Sequence, residues 1–271
     1  MHRANAHQRR HRSIRAVRMD LNSDVGESFG AWTIGQDEAL IPLVSSVNIA
    51  CGFHAGDPLV MERTIALARS AGAGVGAHPG YPDLAGFGRR DLEMALPELE
   101  AAVLYQVAAL AGMARAGGVE LRHVKPHGAL YHRAGRDPAV AEAIARAVRR
   151  VSAELILVGM AGSATLEAGR AAGLPVAAEA FVDRPYQADG TLRPRRLPGG
   201  VMEDPAAAAA QALRIAREGR VQAWEGGILE VRADTLCIHG DTPGAVEFAR
   251  AVRAALEAAG ISVEPMAPAP W

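Results

Sequence analysis

The sequence predicts an α/β fold: a TIM-like (β/α) barrel in which seven strands can be counted. Three observations predict it. Short apolar runs alternate with longer amphipathic ones, the signature of repeated βαβ units and a parallel sheet. The length, 271 residues, suits a single barrel of this kind. Polar motifs follow nearly every apolar run, as they would if the strands opened onto one ring of loops. An open doubly wound sheet shares the alternation, but the recurring motifs favour the barrel.

In chain order, strands are expected at 17–22 and 46–50, and a helix at 58–71. A strand at 74–77, a helix at 97–116 and a strand at 121–125 follow. Next come a helix at 138–151, a strand at 155–158, a helix at 163–172 and a strand at 176–180. A helix at 205–217, a strand at 236–238 and a helix at 243–259 complete the order. Asp-Pro at 57–58, 137–138 and 204–205 places an N-cap acceptor before a first-turn proline, and Thr242-Pro243 repeats the device. Residues 183–202, rich in proline and arginine, form the one long irregular stretch and read as a lid or insertion. The organisation expected is a disordered basic tail at 1–18, one barrel domain at 19–264 and a flexible end at 265–271.

Composition limits the function. Residues 1–18 carry six arginines and no acid, so the remaining chain has 29 − 6 = 23 bases against 30 acids, a net of −7. An acidic body lacks the basic footprint that nucleic-acid binding needs. The basic start also lacks the apolar core of a secretory signal, and Met19 reads as the functional beginning. No run approaches the roughly 18 apolar residues of a membrane span. A cytoplasmic protein is expected, with Cys51 and Cys237 as buried free thiols, and self-association stays open. All but one of the 29 basic residues are arginine. The single lysine, Lys125, is a candidate for work that needs a compact amine.

The motifs lie where strands should end. On the first strand Asp20, Asn22 and Asp24 share one face by the period-two rule, followed by Glu27. The spacing superficially suits an EF-hand, but Val25 and Ala31 stand where its glycine and glutamate must be. Strand two runs from Asn48 to His54 and Asp57, and strand three to His78 and Tyr81. Strand four gives Lys125, His127 and Tyr131, strand six gives Glu179, Asp183 and Arg184, and the last gives His239 and Asp241. Four histidines at equivalent strand ends (His54, His78, His127 and His239) argue for one shared polar pocket. Carboxylates and imidazoles there are proton carriers, and Asp with two or three His is also a divalent-metal set. Asp57 reads as a helix cap before it reads as a catalyst. A Walker A loop is impossible, since proline follows the only lysine.

The motifs DLNSDVGE, NIACGFHAGDP, GAHPGYPD, VKPHGALYH, EAFVDRPY and IHGD resemble the bacterial 5-oxoprolinase A-subunit family, also called LamB/YcsF-like or lactam-utilisation proteins. The resemblance covers 19–259 in order. It implies a barrel of the glycoside hydrolase/deacetylase type. It implies ATP-dependent hydrolysis of the lactam of 5-oxo-L-proline to L-glutamate, with subunits B and C as partners and ATP with Mg²⁺ as cofactor, bound on those partners or on this chain in another way than through a Walker A loop. It places Asp24, His54, His78, Lys125, His127, Asp183 and His239 in or near the pocket. On this basis Asp20 or Asp24 would deprotonate water with help from a histidine, and Lys125 and Arg184 would steady negative charge. Asn22, Glu27, Asn48, Asp57, Tyr81, Tyr131, Glu179 and Asp241 are the substrate-binding candidates. Asp24, His78 and His127 would hold Zn²⁺ or Mn²⁺ if the site follows the related deacetylases; a metal-free site is the alternative. A metal-dependent carbohydrate deacetylase and a non-catalytic ligand-binding subunit are the competing functions.

Overall fold

A computed structural model describes residues 18–242 and 244–266. The first half runs β1 (Arg18–Val25), α1 (Asp37–Leu40), β2 (Ser46–Ala50), α2 (Pro58–Ala71), β3 (Gly74–His78), α3 (Leu96–Ala116) and β4 (Leu121–Val124). Then come α4 (Gly128–Arg136), α5 (Pro138–Val151), β5 (Ile156–Met160), α6 (Ala164–Ala171), β6 (Val176–Phe181) and α7 (Pro205–Glu218). Strands β7 (Arg220–Gln222), β8 (Ile228–Glu230) and β9 (Thr235–Ile238) precede α8 (Ala245–Ala258) and β10 (Ser262–Val263).

Seven parallel strands close a barrel in the order β1-β2-β3-β4-β5-β6-β9, with β9 returning to β1. Closure is set by the register Asp20↔Thr235 through Ser23↔Ile238 on one side of β1 and Asn22↔Ser46 onward on the other. Helices cover the outside. On α5 the buried residues Val140, Ala141, Ile144, Ala145 and Val148 recur at helical spacing. Burying each Val or Ile contributes about 1.5–3 kcal/mol. The Asp-Pro expectation holds at all three sites: Asp57, Asp137 and Asp204 each accept hydrogen bonds from first-turn N–H groups.

The barrel interior departs from the usual aliphatic layers. Leu21 and Val25 of β1 join the apolar core, while Asp20, Asn22 and Asp24, also buried, point to the opposite side. Three inward polar groups on one strand are tolerated only because each is hydrogen-bonded.

Several elements differ from expectation. Helix α4 starts directly after His127 and escapes a reading by period, because a nine-residue helix opening on glycine carries too few apolar positions to show one. Strands β7 and β8 form an antiparallel hairpin with three-residue arms. Helix α8 starts at Ala245 behind Gly244, whose φ of 82° suits glycine; Pro243 lies outside the described residues. Of the expected ends, residues 1–17 and 267–271 lie outside the described residues. Arg18 pairs with Ser262 in the sheet, and Met266 is buried with Ile156, Val158 and Ala177, so ordered packing continues beyond residue 264. Among the described residues no helix is long and apolar enough to cross a membrane.

Candidate active site

The strands deliver their inward side chains into one polar network. Lys125 is 2% exposed, and its Nζ lies 3.0 Å from Asp24 Oδ1, 2.9 Å from Glu179 Oε1, 3.3 Å from Asn22 Oδ1 and 3.1 Å from Cys237 Sγ. An ammonium has three protons. Four acceptors therefore saturate it. Burial alone would lower the Lys125 pKa, but Asp24, Cys237 and Glu179 outweigh it and hold it well above the ordinary value. Asn48 Nδ2 donates to Asn22 Oδ1 and Asp24 Oδ1, both at 2.8 Å, and Asn22 Nδ2 donates to Glu179 Oε1 at 3.0 Å. His123 Nε2 reaches Asn48 Oδ1 at 2.8 Å, in space left because Gly76 carries no side chain.

Above this network, Glu27, His54, His78 and His127 bring one donor atom each within 4.8 Å of one another, and all four are buried. Two backbone carbonyls fix the imidazole tautomers. His78 Nδ1 stands 2.7 Å from Lys125 O and His127 Nε2 stands 2.8 Å from Phe87 O. A carbonyl only accepts, so those nitrogens carry protons, and the lone pair of a neutral His127 ring sits on Nδ1. His78 Nε2 and His127 Nδ1 face each other at 3.0 Å. Burial, with His78 beside it, pushes the His127 pKa down to about 3, so no proton on His127 joins them at neutral pH. A divalent cation shared by the two nitrogens would satisfy the His127 lone pair. His54 stacks on His127 with ring centroids 3.8 Å apart, and neither of its ring nitrogens has a hydrogen-bond partner. Glu27 Oε1 lies 3.7 Å from His127 Nδ1 and 3.8 Å from His54 Nε2. Burial and the neighbouring Asp24 raise the Glu27 carboxyl well above its ordinary pKa, a strain that a divalent cation would relieve. Three imidazoles and a carboxylate, with carbonyls orienting two of the rings, fit a divalent metal of the Zn²⁺ or Mn²⁺ kind.

The set differs from the one expected. His78 and His127 belong to it, but Glu27 and His54 complete it. Asp24 is burdened by burial yet held well below its usual pKa by His78 and Lys125. It holds Lys125 and Asn48 with Oδ1 and lies 3.3 Å from His78 Nε2 through Oδ2, at the border of the cluster.

Across the mouth stands a second unit. His239 Nδ1 lies 2.9 Å from Asp183 Oδ2, and its ring stacks on Phe181 at 5.3 Å. Asp183 is held below its usual pKa, despite burial, by His239 beside it. Tyr131 packs edge-on to Phe181, and burial with the Glu179 carboxylate raises its hydroxyl well above the ordinary value.

Four candidates lie elsewhere. Asp20 is four residues before Asp24, about 13 Å back along an extended strand. There it accepts from Ser45, Ser46 and Thr235 at the barrel's closed end. Asp57 caps α2 and also accepts from Gly30 N. Tyr81 is buried beside Arg133 and Asp91. Arg184 donates to Gly200 O at 2.8 Å and Arg193 O at 2.6 Å, so it staples residues 183–202 instead of steadying charge. Gly26 to Gly30 spells G-x-S-x-G, yet Ser28 only exchanges hydrogen bonds with the Ile34 backbone, so no serine nucleophile is built there. Asp241 stands at the rim, paired with Arg89 and approached by Arg195, neither of which the motifs had signalled.

The fold and site define a closed (β/α) barrel enzyme scaffold with a buried histidine–carboxylate centre beneath its loop ring. The LamB/YcsF family model matches residues 19–270, and the chain belongs to that family. It is 60% identical over 245 residues to the 5-oxoprolinase A-subunit of Chloroflexus aggregans, covering 90% of this chain and 97% of the relative. The protein of the same designation in Methylococcus capsulatus is 57% identical, with 90% and 94% covered. The crystal structure of the lactam utilization protein from Thermus thermophilus superposes with a TM-score of 0.87 at 51% identity, covering 91% of this chain and 99% of that one.

Proposed function

We propose that this chain is the component of a cytoplasmic ATP-dependent 5-oxoprolinase that carries the lactam site, opening 5-oxo-L-proline to L-glutamate. The observation that carries the reading is the buried Glu27/His54/His78/His127 cluster facing the Asp183–His239 pair, in a chain whose relatives bear the A-subunit designation. That designation speaks for companion subunits. We assign ATP and its Mg²⁺ to subunits B and C, because this chain has no Walker A sequence.

In this mechanism Glu27, His54, His78 and His127 would hold a divalent ion, whose chemistry there would be that of a Lewis acid toward a carbonyl. Asp183 fixes the His239 tautomer by accepting from Nδ1, which leaves Nε2 free to take a proton from water and pass one to the leaving nitrogen. Lys125 and Asn48 hold Asp24 so that its second oxygen faces His78. Lys125 is thus a positioning residue and does not touch the substrate.

The test is glutamate release from 5-oxo-L-proline by the chain alone and by the chain mixed with subunits B and C. ATP-dependent release only in the mixture is expected, with no deacetylation of a chitooligosaccharide. A complete mixture that releases no glutamate would sink the proposal.

A further inference from the structure

Two guanidinium groups and one carboxylate stand at the mouth of the barrel, and their count is uneven. Arg89 Nη2 lies 2.5 Å from Asp241 Oδ2, and Arg195 Nη2 lies 3.8 Å from Asp241 Oδ1. Among the described residues Asp241 is the only acidic partner of either arginine. Two cations share one anion, so one positive charge at the rim has no counterpart. Both side chains reach solvent, at 42% and 28% exposed.

The chain places this pair directly over the site. Arg89 follows Gly88, where a side chain would run into the His127 ring and the His54 Cβ. Asp241 comes two residues after His239. Arg195 is carried by the segment that Arg184 staples through Arg193 and Gly200. One guanidinium therefore borders the imidazole cluster, and the other borders the Asp183–His239 pair. Their fields reach those groups: Arg89 acts on Glu27, His54 and His127, and Arg195 acts on Asp183.

We infer that Arg89 and Arg195 bind the carboxylate of an anionic lactam and so orient its ring carbonyl toward the imidazole cluster. The inference rests on the reading of the barrel as a lactam site. A planar guanidinium fork matches a carboxylate in two parallel hydrogen bonds, and a substrate carboxylate would supply the missing anion at the rim. A neutral lactam with the same ring would forgo this contact.

The experiment is calorimetric titration of the full-length protein with 5-oxo-L-proline and with 2-pyrrolidinone, the same ring without a carboxylate. Wild-type protein is expected to bind 5-oxo-L-proline at least about tenfold more tightly, the scale of one charged hydrogen bond. Arg89→Gln and Arg195→Gln should each weaken 5-oxo-L-proline by about tenfold or more while leaving 2-pyrrolidinone unchanged. Arg89→Lys should restore only part, since an ammonium lacks the fork. Unchanged melting temperatures keep the comparison clean. Equal affinity for the two lactams, or glutamine variants that bind 5-oxo-L-proline like wild type, would overturn the arginine assignment alone. Failure of wild-type protein to bind either lactam would overturn both this inference and the lactam reading beneath it.

Discussion

Lys125 and Glu179 form an ion pair sealed from solvent: Nζ and Oε1 are 2.9 Å apart, and the two side chains are 3% and 0% exposed. With Asp24 on the other side of the ammonium, one cation compensates two buried carboxylates. Removing that cation should destabilise the fold. Lys125→Met is expected to lose on the order of 3–5 kcal/mol, because it leaves unpaired charge behind. Lys125→Met/Glu179→Gln should recover a large part of the loss. Urea denaturation reads both, and a single variant within about 1 kcal/mol of wild type would show the pair to be energetically idle.

The same enclosure predicts that arginine cannot replace Lys125. A guanidinium is too broad for a space bounded by Asn22, Asp24, Glu179 and Cys237. Lys125→Arg should lower turnover in the complete mixture proposed above by about ten- to a hundredfold, the effect usual for a residue that supports a site without touching the substrate. A rate within about twofold of wild type would detach Lys125 from the working of the site.

Metal content provides an independent check on the imidazole cluster. Protein stripped with a chelator and reloaded with Zn²⁺ or Mn²⁺ should retain one equivalent per chain, read by plasma mass spectrometry. Glu27→Gln and His54→Ala should each lower the affinity at least about tenfold, the effect usual for residues around a metal. Retention of the metal by both variants would exclude Glu27 and His54 from the ligand set.

Asp20 gives the fold a pH dependence of its own. Burial raises its pKa to about 6, against donors from Ser46, Thr235 and Ser45 that lower it. The folded state thus holds the Asp20 proton more tightly than the unfolded chain. This contribution is fully present below the unfolded pKa of 3.8 and is lost as pH rises through about 6. The shift of roughly two units corresponds to about 3 kcal/mol. Asp20→Asn, which stays neutral, should flatten the stability profile between pH 4 and 6; an unchanged profile would show that Asp20 does not titrate there.

Gly76 has a steric reason to be glycine. A Cβ at this position would fall inside the His123 ring. Gly76→Ala should displace His123 and break its bond to Asn48, lowering thermal stability by several degrees. A variant with unchanged melting temperature and unchanged metal affinity would refute the coupling.

Strand ends and histidines were legible in the sequence because each carries a local signal: an apolar run, a glycine-rich turn and a ring-bearing residue after it. The Asp-Pro helix starts were legible for the same reason. Period two also identified Asp20, Asn22 and Asp24 as one inward face, but it could not tell depth. Asp20 therefore shared candidacy with Asp24 although it lies at the other end of the barrel. The arginine of DRPY was conspicuous in the motif, yet Arg184 serves the backbone, while Arg89 and Arg195 reach the mouth from loops without any periodic mark. Glu27 and His54 joined His78 and His127 in one buried cluster only through the curvature of the sheet, which no linear spacing contains.

The pairing of β1 with β9 has a consequence for how the protein is made. Asp20 must wait for Thr235, more than two hundred positions later, before the sheet can close. Contacts so distant along the chain slow folding, because loop closure must precede the interactions that reward it. A ribosome releasing the polypeptide from its first residue exposes six strands with two unsatisfied edges until β9 emerges. The candidate site is subject to the same delay, since His239 follows β9 directly. Half-made chains should therefore be inert and dependent on chaperones, and a premature stop anywhere before codon 235 should yield aggregate instead of a partly active fragment.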